Sequence, residues 1–568
     1  MDSREHIVML PFMAHGHLIP FLALARQIQQ RTGFIITIAT TKLNIQYLCS
    51  SISTDSNSQP LSNIRFAELP FNTTDHDLPP NTENTEFLSP SSIGNFLHAS
   101  LSLKDPLLQL LNDIVHQEGK PPLCVISDEL FGWATELAKS VGTVNIAFTT
   151  AGAYGTLAYV SIWLNLPHRY STDSEEFKVP GFPESYRFHR SQLNPYVRDA
   201  DGTDIWSRYL QTQLSQSIES FGWLCNSVEE IEPLGFDLLR KYLGVPVWSI
   251  GPLIPLAALK NTSSSTSGFS FFKQHTGKKP GLTPEKCIEW LDLHVLVWSQ
   301  MMELAIGLED SGVSFIWVIR PPIGFDLKSE FKAEWLPEGF EERMKQSKRG
   351  LLVRNWAPQL DILSHKSTGA FLSHCGWNSV LESLSQGVPI LGWPMATEQA
   401  YNSKMLMEEM GVSVELTRGS QGIIVAKEVK RVIELVLDKE GKGKDMRNKA
   451  VEVEKQLREA VRDETDDMGS SVKAIDDFVR SILSRNQEAS RQKMLRGKSI
   501  SNIVKVAVTL SLLMILNSKP LEAVRPLYDM KSKPESLNVS VSHNQAPIPP
   551  SVPNPCTYIP ESDDGGCS

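Results

Sequence analysis

Cysteine is scarce in this chain. Of its seven cysteines, Cys49, Cys124, Cys225, Cys287 and Cys375 have neither the close pairing of a metal-ligand set nor the spacing of a redox motif. That excludes a disulfide framework as the source of stability and predicts reduced thiols in the cytoplasm. Long apolar runs are missing too. Met1 to Glu5 leads straight into Ile7-Val8-Met9-Leu10, too short for a secretory core. The run Val506 to Leu516 falls short of the roughly 20 residues a bilayer span requires, so no stable membrane span is expected. Positive charge is not in excess: 55 Lys and Arg stand against 65 Asp and Glu, a net charge of −10. This disfavours attraction to phosphate backbones and predicts no nucleic-acid partner. No Gly-x-Gly-x-x-Gly opens a helix, which argues against a dinucleotide fold of the usual kind. No paired-aspartate motif offers to hold a divalent ion, so no metal is expected.

What is present is ordinary for a folded protein, with 41% hydrophobic and 21% charged residues. A chain of 568 residues is too long for one ordinary core and predicts two domains with a cleft between them. Strand-length apolar runs alternate with helical patterns from the start: His6 to Pro11, Leu18 to Gln30, Ile35 to Ala39, then Leu123 to Ser127, Phe131 to Lys139 and Asn145 to Thr149. The natural reading is an α/β fold on a parallel sheet. A Ser-, Thr- and Gly-rich break follows Gly251-Pro252. Alternation then resumes with helix Ser299 to Asp310, strands Val313 to Ile319, Gly350 to Arg354 and Ala370 to Ser373, a helix from about Asn378, and strand Val388 to Leu391. Charged helical patterns follow at 426–438 and 445–461, with an amphipathic one at 471–483. The expected organisation is a first domain over 1–253, a linker over 254–283, a second domain over 284–460, a helix over 461–490 that returns to the first domain, and a tail over 491–568.

One segment carries most of the chemistry. Trp356-Ala357-Pro358-Gln359 is followed by Ser373-His374-Cys375-Gly376-Trp377-Asn378-Ser379, then Glu382, and closes on Glu398-Gln399. A Trp just after a strand offers a flat face for a base ring, worth about 1 to 3 kcal/mol by stacking. The strand ending at Ser373 runs into a helix, so uncapped N–H groups and the positive helix end face whatever binds there, which suits a diphosphate. Gly376 allows close backbone approach; His374, Asn378 and Ser379 add donors. Glu382, one turn into the helix, can accept from two ribose hydroxyls.

In composition and length, Trp356 to Gln399 closely resembles the signature of plant UDP-sugar-dependent glycosyltransferases. The resemblance runs from about His6 to about Leu483. It implies the GT-B architecture, two facing Rossmann-like domains, with UDP-glucose held mainly by the second as a co-substrate and no other cofactor. It places Trp377, Glu398 and Gln399 around the sugar, with glucose favoured, and implies inverting transfer to a hydroxyl of a small, largely apolar acceptor by a cytoplasmic monomer. Acceptor contacts are expected from 87–97 and 154–166.

At the first strand–helix junction, His15-Gly16-His17-Leu18-Ile19-Pro20 matches the family's Gly-His-x-x-Pro, making His17 the general base. An imidazole of ordinary pKa, about 6.5, can take a hydroxyl proton near neutrality. Asp128 ends a strand of the same sheet and would orient the ring and stabilise the imidazolium. Glu129 is a rival on chemistry alone, and the resemblance favours Asp128. Thr150 matches a position that reaches the sugar.

The chain departs from the family in one place. Between Asp292 and Ser299 the family carries the first strand of its second domain, ending in Phe-Gly-Ser; here only Leu293 to Trp298 remains, with Val295 to Trp298 as a short surrogate strand. Loss of that strand would remove core burial and one wall of the diphosphate site, so the alternative expectation is an impaired relative that binds ligand without turnover. The tail from Met494 has the grammar of a secretory signal, with basic residues, a short apolar core and Ala523, then a Pro-rich stretch containing Cys556 and Cys567. It reads either as a second reading frame fused to the first or as a genuine extension whose apolar patch packs on the body.

Overall fold

A computed structural model describes residues 4–53, 63–85, 88, 90–170, 174–255, 259, 298–321, 331–354, 357–419, 422–464 and 467–517. The chain divides into two compact units, residues 1–492 and 493–568.

Seven parallel strands organise the first half of the larger unit. They are β1 (His6–Leu10), β2 (Ile35–Thr40), β3 (Ile64–Glu68), β4 (Cys124–Asp128), β5 (Asn145–Thr149), β6 (Gly222–Cys225) and β7 (Val247–Ser249). Their spatial order is β3-β2-β1-β4-β5-β6-β7. Strands covered on both faces read as unbroken apolar runs, and every residue of β1, β2, β4 and β5 is buried. Period-two alternation divides them: Val8, Leu10, Val125 and Ala147 face one core cluster, and Ile7, Met9, Ile126 and Phe148 the other. Helix α1 (His15–Thr32) covers the second cluster through Leu18, Phe21 and Leu22 and stops at Gly33, which adopts φ 70°. Helix α2 (Ala153–Asn165) belongs to the first. The chain winds one way from β1 to β3 and the other from β4 to β7. The crevice at the carboxyl ends of β1 and β4 is therefore the topological switch point, where such sheets bind ligands.

The second half is α/β as expected, but its strands form two sheets. After α3 (Trp298–Ser311), β8 (Phe315–Ile319) pairs in parallel with β9 (Gly350–Arg354). Separately, β10 (Phe371–Ser373), α4 (Trp377–Leu384), β11 (Ile390–Gly392), α5 (Gln399–Met405) and β12 (Ser413–Glu415) build a parallel three-stranded sheet in the order β10-β11-β12. Among the described residues no strand joins β8 to β10. Ile316 in β8 and Leu351 in β9 are 48% and 57% exposed, where the matching interior strands of the first sheet are fully buried. The surrogate strand Val295 to Trp298 is corrected at its one described residue: Trp298 opens α3. The reason is helical spacing, since Met301, Leu304, Ala305 and Leu308 bury one face. That face meets α6 (Ala426–Leu437), where a Cβ on Gly307 would lie 2.5 Å from that of Val429.

A long helix, α7 (Ser470–Asn517), begins in the larger unit. Its residues Ile475, Phe478 and Ile482 lie at helical spacing in the second core cluster of the first half. The Trp248 indole N–H donates to Asp477 Oδ2 at 2.9 Å, and the Arg31 guanidinium donates to both Asp476 oxygens at 2.9 and 2.8 Å. In the smaller unit the described residues, 493–517, are helical, and Val506, Val508 and Leu510 are exposed. Most of the expected linker, the remnant 293–297 and the tail beyond 517, with Cys287, Cys556 and Cys567, lie outside the described residues.

Candidate active site

The first turn of α1 and the last residue of β4 meet at the switch point. Sequence places His17 at the strand–helix junction with the helical pattern from Leu18, but the helix already starts at His15, because Ala14 adopts extended backbone and its carbonyl accepts from the amides of His17 and Leu18 at 2.9 Å each. His17 Nδ1 stands 2.6 Å from Asp128 Oδ2; the imidazole is 24% exposed and the carboxylate fully buried. With Nδ1 engaged by the carboxylate, Nε2 is the nitrogen left for a substrate. Asp128 Oδ1 accepts from the Leu130 amide at 3.1 Å, which holds the carboxylate from its other side. Phe12 meets the imidazole edge-on at 5.4 Å and Phe96 at 6.2 Å.

Electrostatics corrects the ordinary pKa expected of the imidazole. Burial pulls His17 down, but the charge of Asp128 and its hydrogen bond, with Glu129 and Glu398 farther off, outweigh it and raise the pKa to about 9. A ring so raised is mostly imidazolium at neutral pH. Glu129 takes no part in the pair: it accepts from Thr149 Oγ1 at 3.3 Å, and burial together with the Asp128 charge pushes its carboxyl well above the usual range.

The residues expected at the donor come from the segment after β9 and from the β10–α4 and β11–α5 connections, again at carboxyl ends of parallel strands. Gly376 is the N-cap of α4 in extended backbone, and no side chain caps the helix, so its leading amides have no acceptor within the helix or at the cap side chain. Before it, Cys375 takes φ 65°, a left-handed conformation that a non-glycine residue adopts only at a cost of about 1–3 kcal/mol and that clusters at functional sites. A Cβ on Gly376 would strike the His374 ring. Asn378 Nδ2 donates to the Gly16 carbonyl at 3.0 Å, so the start of α4 reaches the residue beside His17. Gln359 Nε2 donates to Ser379 Oγ at 3.2 Å and Glu382 Oε2 at 2.9 Å, gathering three expected contacts, with Ala357 buried nearby in sequence. Gln399 spends its side-chain carbonyl on the amides of Met395 and Ala396, at 3.0 and 2.9 Å. Glu398 Oε1 accepts from Asn402 Nδ2 at 3.5 Å. Trp356 lies outside the described residues, as does Phe87 of the expected acceptor segment. Among the described residues the acceptor segments are largely core: Phe96, Leu157 and Trp163 are all at or below 2% exposure.

Trp377, expected at the sugar, is 3% exposed, and its indole N–H donates to the Asn226 carbonyl at 2.6 Å. This is one of several contacts joining the two halves. A Cβ on Gly152 would lie 2.8 Å from Trp377 Cζ2, and one on Gly155 would overlap Asn402 Oδ1. Asn226 and its neighbours Ser227 and Glu232 did not stand out in the sequence. The available signal was position, since they follow the carboxyl end of β6, a parallel strand beside β5. Glu232 is buried, and burial pushes its carboxyl to about 7 although Ser227, Tyr154 and Ala153 hydrogen-bond it. Among the described residues no group of three or more His, Cys, Asp or Glu could hold a metal ion, and no helix is long and apolar enough to cross a membrane.

Residues 4–255 match the family described as glycosyltransferase, N-terminal domain, and residues 297–452 that described as UDP-glucoronosyl and UDP-glucosyl transferase. UDP-glycosyltransferase 92A1 of Arabidopsis thaliana is 41% identical over 486 residues, spanning 85% of this chain and 98% of its own length. Crocetin glucosyltransferase 3 of Crocus sativus is 42% identical over 472 residues, 78% of this chain and 93% of its own. Among solved structures, Glycyrrhiza uralensis UGT73P12 superposes with a TM-score of 0.71 at 24% identity, over 88% of this chain and all of that one, which speaks to the fold. A UDP-glucosyltransferase from Polygonum tinctorium capable of glucosylating indoxyl superposes at 0.62 with 27% identity, over 84% and 98%. Identity above 40% to plant UDP-glycosyltransferases across most of both chains means that the chain belongs to the plant UDP-glycosyltransferase family.

Proposed function

We propose that this UDP-glycosyltransferase moves glucose from UDP-glucose, with inversion, to a hydroxyl of a small apolar acceptor. His17 acts as general base and Asp128 as its orienting partner. The observation that carries the reading is the 2.6 Å contact of His17 Nδ1 with Asp128 Oδ2 at the switch point, beside Gly16, to which Asn378 of the α4 N-terminus is bonded. Nε2 takes the acceptor's hydroxyl proton while that oxygen forms the new bond to the anomeric carbon. The bond from that carbon to the diphosphate oxygen breaks, and UDP leaves with the electron pair toward the uncapped amides after Gly376. Attack opposite the leaving group turns an α-linked donor into a β-glycoside.

His374, Asn378 and Ser379 are assigned to the diphosphate, Trp356, Ala357 and Gln359 to the uridine, Glu382 to the ribose, and Thr150, Trp377, Glu398 and Gln399 to the sugar. A small apolar acceptor is supported by relatives whose names give crocetin and indoxyl as what they glucosylate. Turnover without a metal and a cytoplasmic monomer belong to the same proposal; assay in chelator and light scattering test them. The deciding experiment incubates the full chain with UDP-glucose and a panel of phenolic and terpenoid alcohols. Equal amounts of UDP and a β-glucoside are expected. Folded protein that releases no UDP and forms no glucoside, or forms the α-anomer, overturns the reading.

A further inference from the structure

Asn226, Ser227 and Glu232 form a buried hydrogen-bonded knot between Thr150 and Trp377, two of the residues assigned to the sugar, which come from opposite halves of the molecule. Asn226 is fully buried and every polar group it has is used. Its amide N–H donates to the Thr149 carbonyl at 3.1 Å and its Nδ2 to the Thr150 carbonyl at 3.3 Å. Its Oδ1 accepts from the Leu253 amide at 2.8 Å and its carbonyl from the Trp377 indole at 2.6 Å. One residue thus grips the Thr150 backbone with its side chain and Trp377 with its main chain. Next to it, the hydroxyl of Ser227, also fully buried, donates to Glu232 Oε2.

Glu232 completes the knot. Helix α2 starts after Gly152 with no side chain of its own at the cap, and its first amides are orphan donors. Glu232, distant in sequence, supplies the acceptors: Oε2 for the Ala153 amide at 3.1 Å and Oε1 for the Tyr154 amide at 3.0 Å. A buried carboxylate at a helix N-terminus also meets the positive end of the helix dipole. The turn between Thr150 and α2 is therefore clamped. A Cβ on Gly152 would lie 2.6 Å from Glu232 Oε2 on one side and 2.8 Å from Trp377 Cζ2 on the other. A residue that only filled this space would not need two carboxylate oxygens aimed at two successive amides.

We infer that Asn226, Ser227 and Glu232 are positioning residues for the transferred sugar, acting through Thr150 and Trp377. The inference rests on the sugar-site assignment above. It predicts selectivity: loosening the Glu232 clamp on α2 should harm the handling of the sugar through Thr150 and leave the uridine and diphosphate contacts, which Glu232 does not touch, unchanged.

The test uses the full chain carrying Glu232→Gln. Glutamine has one acceptor oxygen where the carboxylate has two, so one α2 amide loses its partner. Losing a buried hydrogen bond of this kind lowers kcat/KM for UDP-glucose about tenfold or more, while competitive inhibition by UDP stays within about twofold. Parallel losses in both, or no loss in either, overturn the inference. If Glu232→Gln does not fold, Ser227→Ala removes a single donor and should give the same asymmetry at smaller size. Binding measured by titration calorimetry separates this inference from the functional reading. A wild type that binds UDP-glucose but transfers to no acceptor overturns the function alone, and the inference then stands or falls on whether Glu232→Gln weakens UDP-glucose more than UDP. A wild type that binds neither nucleotide overturns both.

Discussion

His17 and Asp128 stand 111 positions apart in sequence and 2.6 Å apart in space, joined because β1 and β4 are neighbours at the centre of one parallel sheet. The Asp128 carboxylate, fully buried and held by the Leu130 amide, cannot move away from the ring, and the imidazolium is stabilised accordingly.

The rate should follow that stabilisation. With His17 raised to about 9, the neutral base becomes abundant only in alkaline solution, so kcat/KM should climb from pH 6.5 and level off near the raised pKa. Asp128→Asn removes the charge that does most of the raising. Its pH profile should level off at lower pH and its plateau should fall by about 10²- to 10⁴-fold. A profile flat from pH 6 to 10 in the wild type would remove His17 as base.

Stability should carry the same signature. A histidine whose folded pKa lies above its unfolded value of 6.5 stabilises the fold fully below about pH 6.5, and that contribution is lost as pH rises through about 9. Urea midpoints should therefore fall between pH 6.5 and 9 in the wild type. His17→Gln should show a smaller fall over that window, and an identical fall in both would refute the linkage.

The seam between the halves offers a steric test. A methyl on residue 155 would overlap Asn402 Oδ1, whose side chain donates to the Cys375 carbonyl at 3.0 Å. Gly155→Ala should cost about 1–3 kcal/mol, the usual penalty for overpacking. Adding Asn402→Ala should recover part of it. Additive losses in the thermal midpoints of the two single variants and the double variant would place the strain elsewhere.

The start of α7 should be worth more than its surface suggests. Phe478 is fully buried and meets Trp248 edge-on at 5.3 Å. Phe478→Ala should destabilise by about 3–5 kcal/mol, read as a lower urea midpoint. An effect below about 1 kcal/mol would mean that this helix only rests on the sheet.

Much of this molecule is set by local chemistry that a sequence states directly. Unbroken apolar runs such as Ile7 to Leu10 read as strands covered on both faces, and the stretch from His374 to Ser379 reads as a strand-to-helix turn with no side chain capping the helix. The fold class follows from those patterns, and the family from the resemblance of Trp356 to Gln399 to its signature. Long-range placement decided the rest, because hydrogen bonds between distant segments leave no periodic trace. Nothing in the order of residues says that Trp377 would spend its N–H on Asn226, that Glu232 would cap a helix 79 positions away, or that Asp128 would carry the imidazole to about 9. The second half shows the same division. Its strands are legible one by one in Val313 to Ile319 and Ala370 to Ser373, within which the observed strands lie. Whether they share one sheet depends on ladder bonds between them, and among the described residues those bonds stop at β8 on one side and β10 on the other.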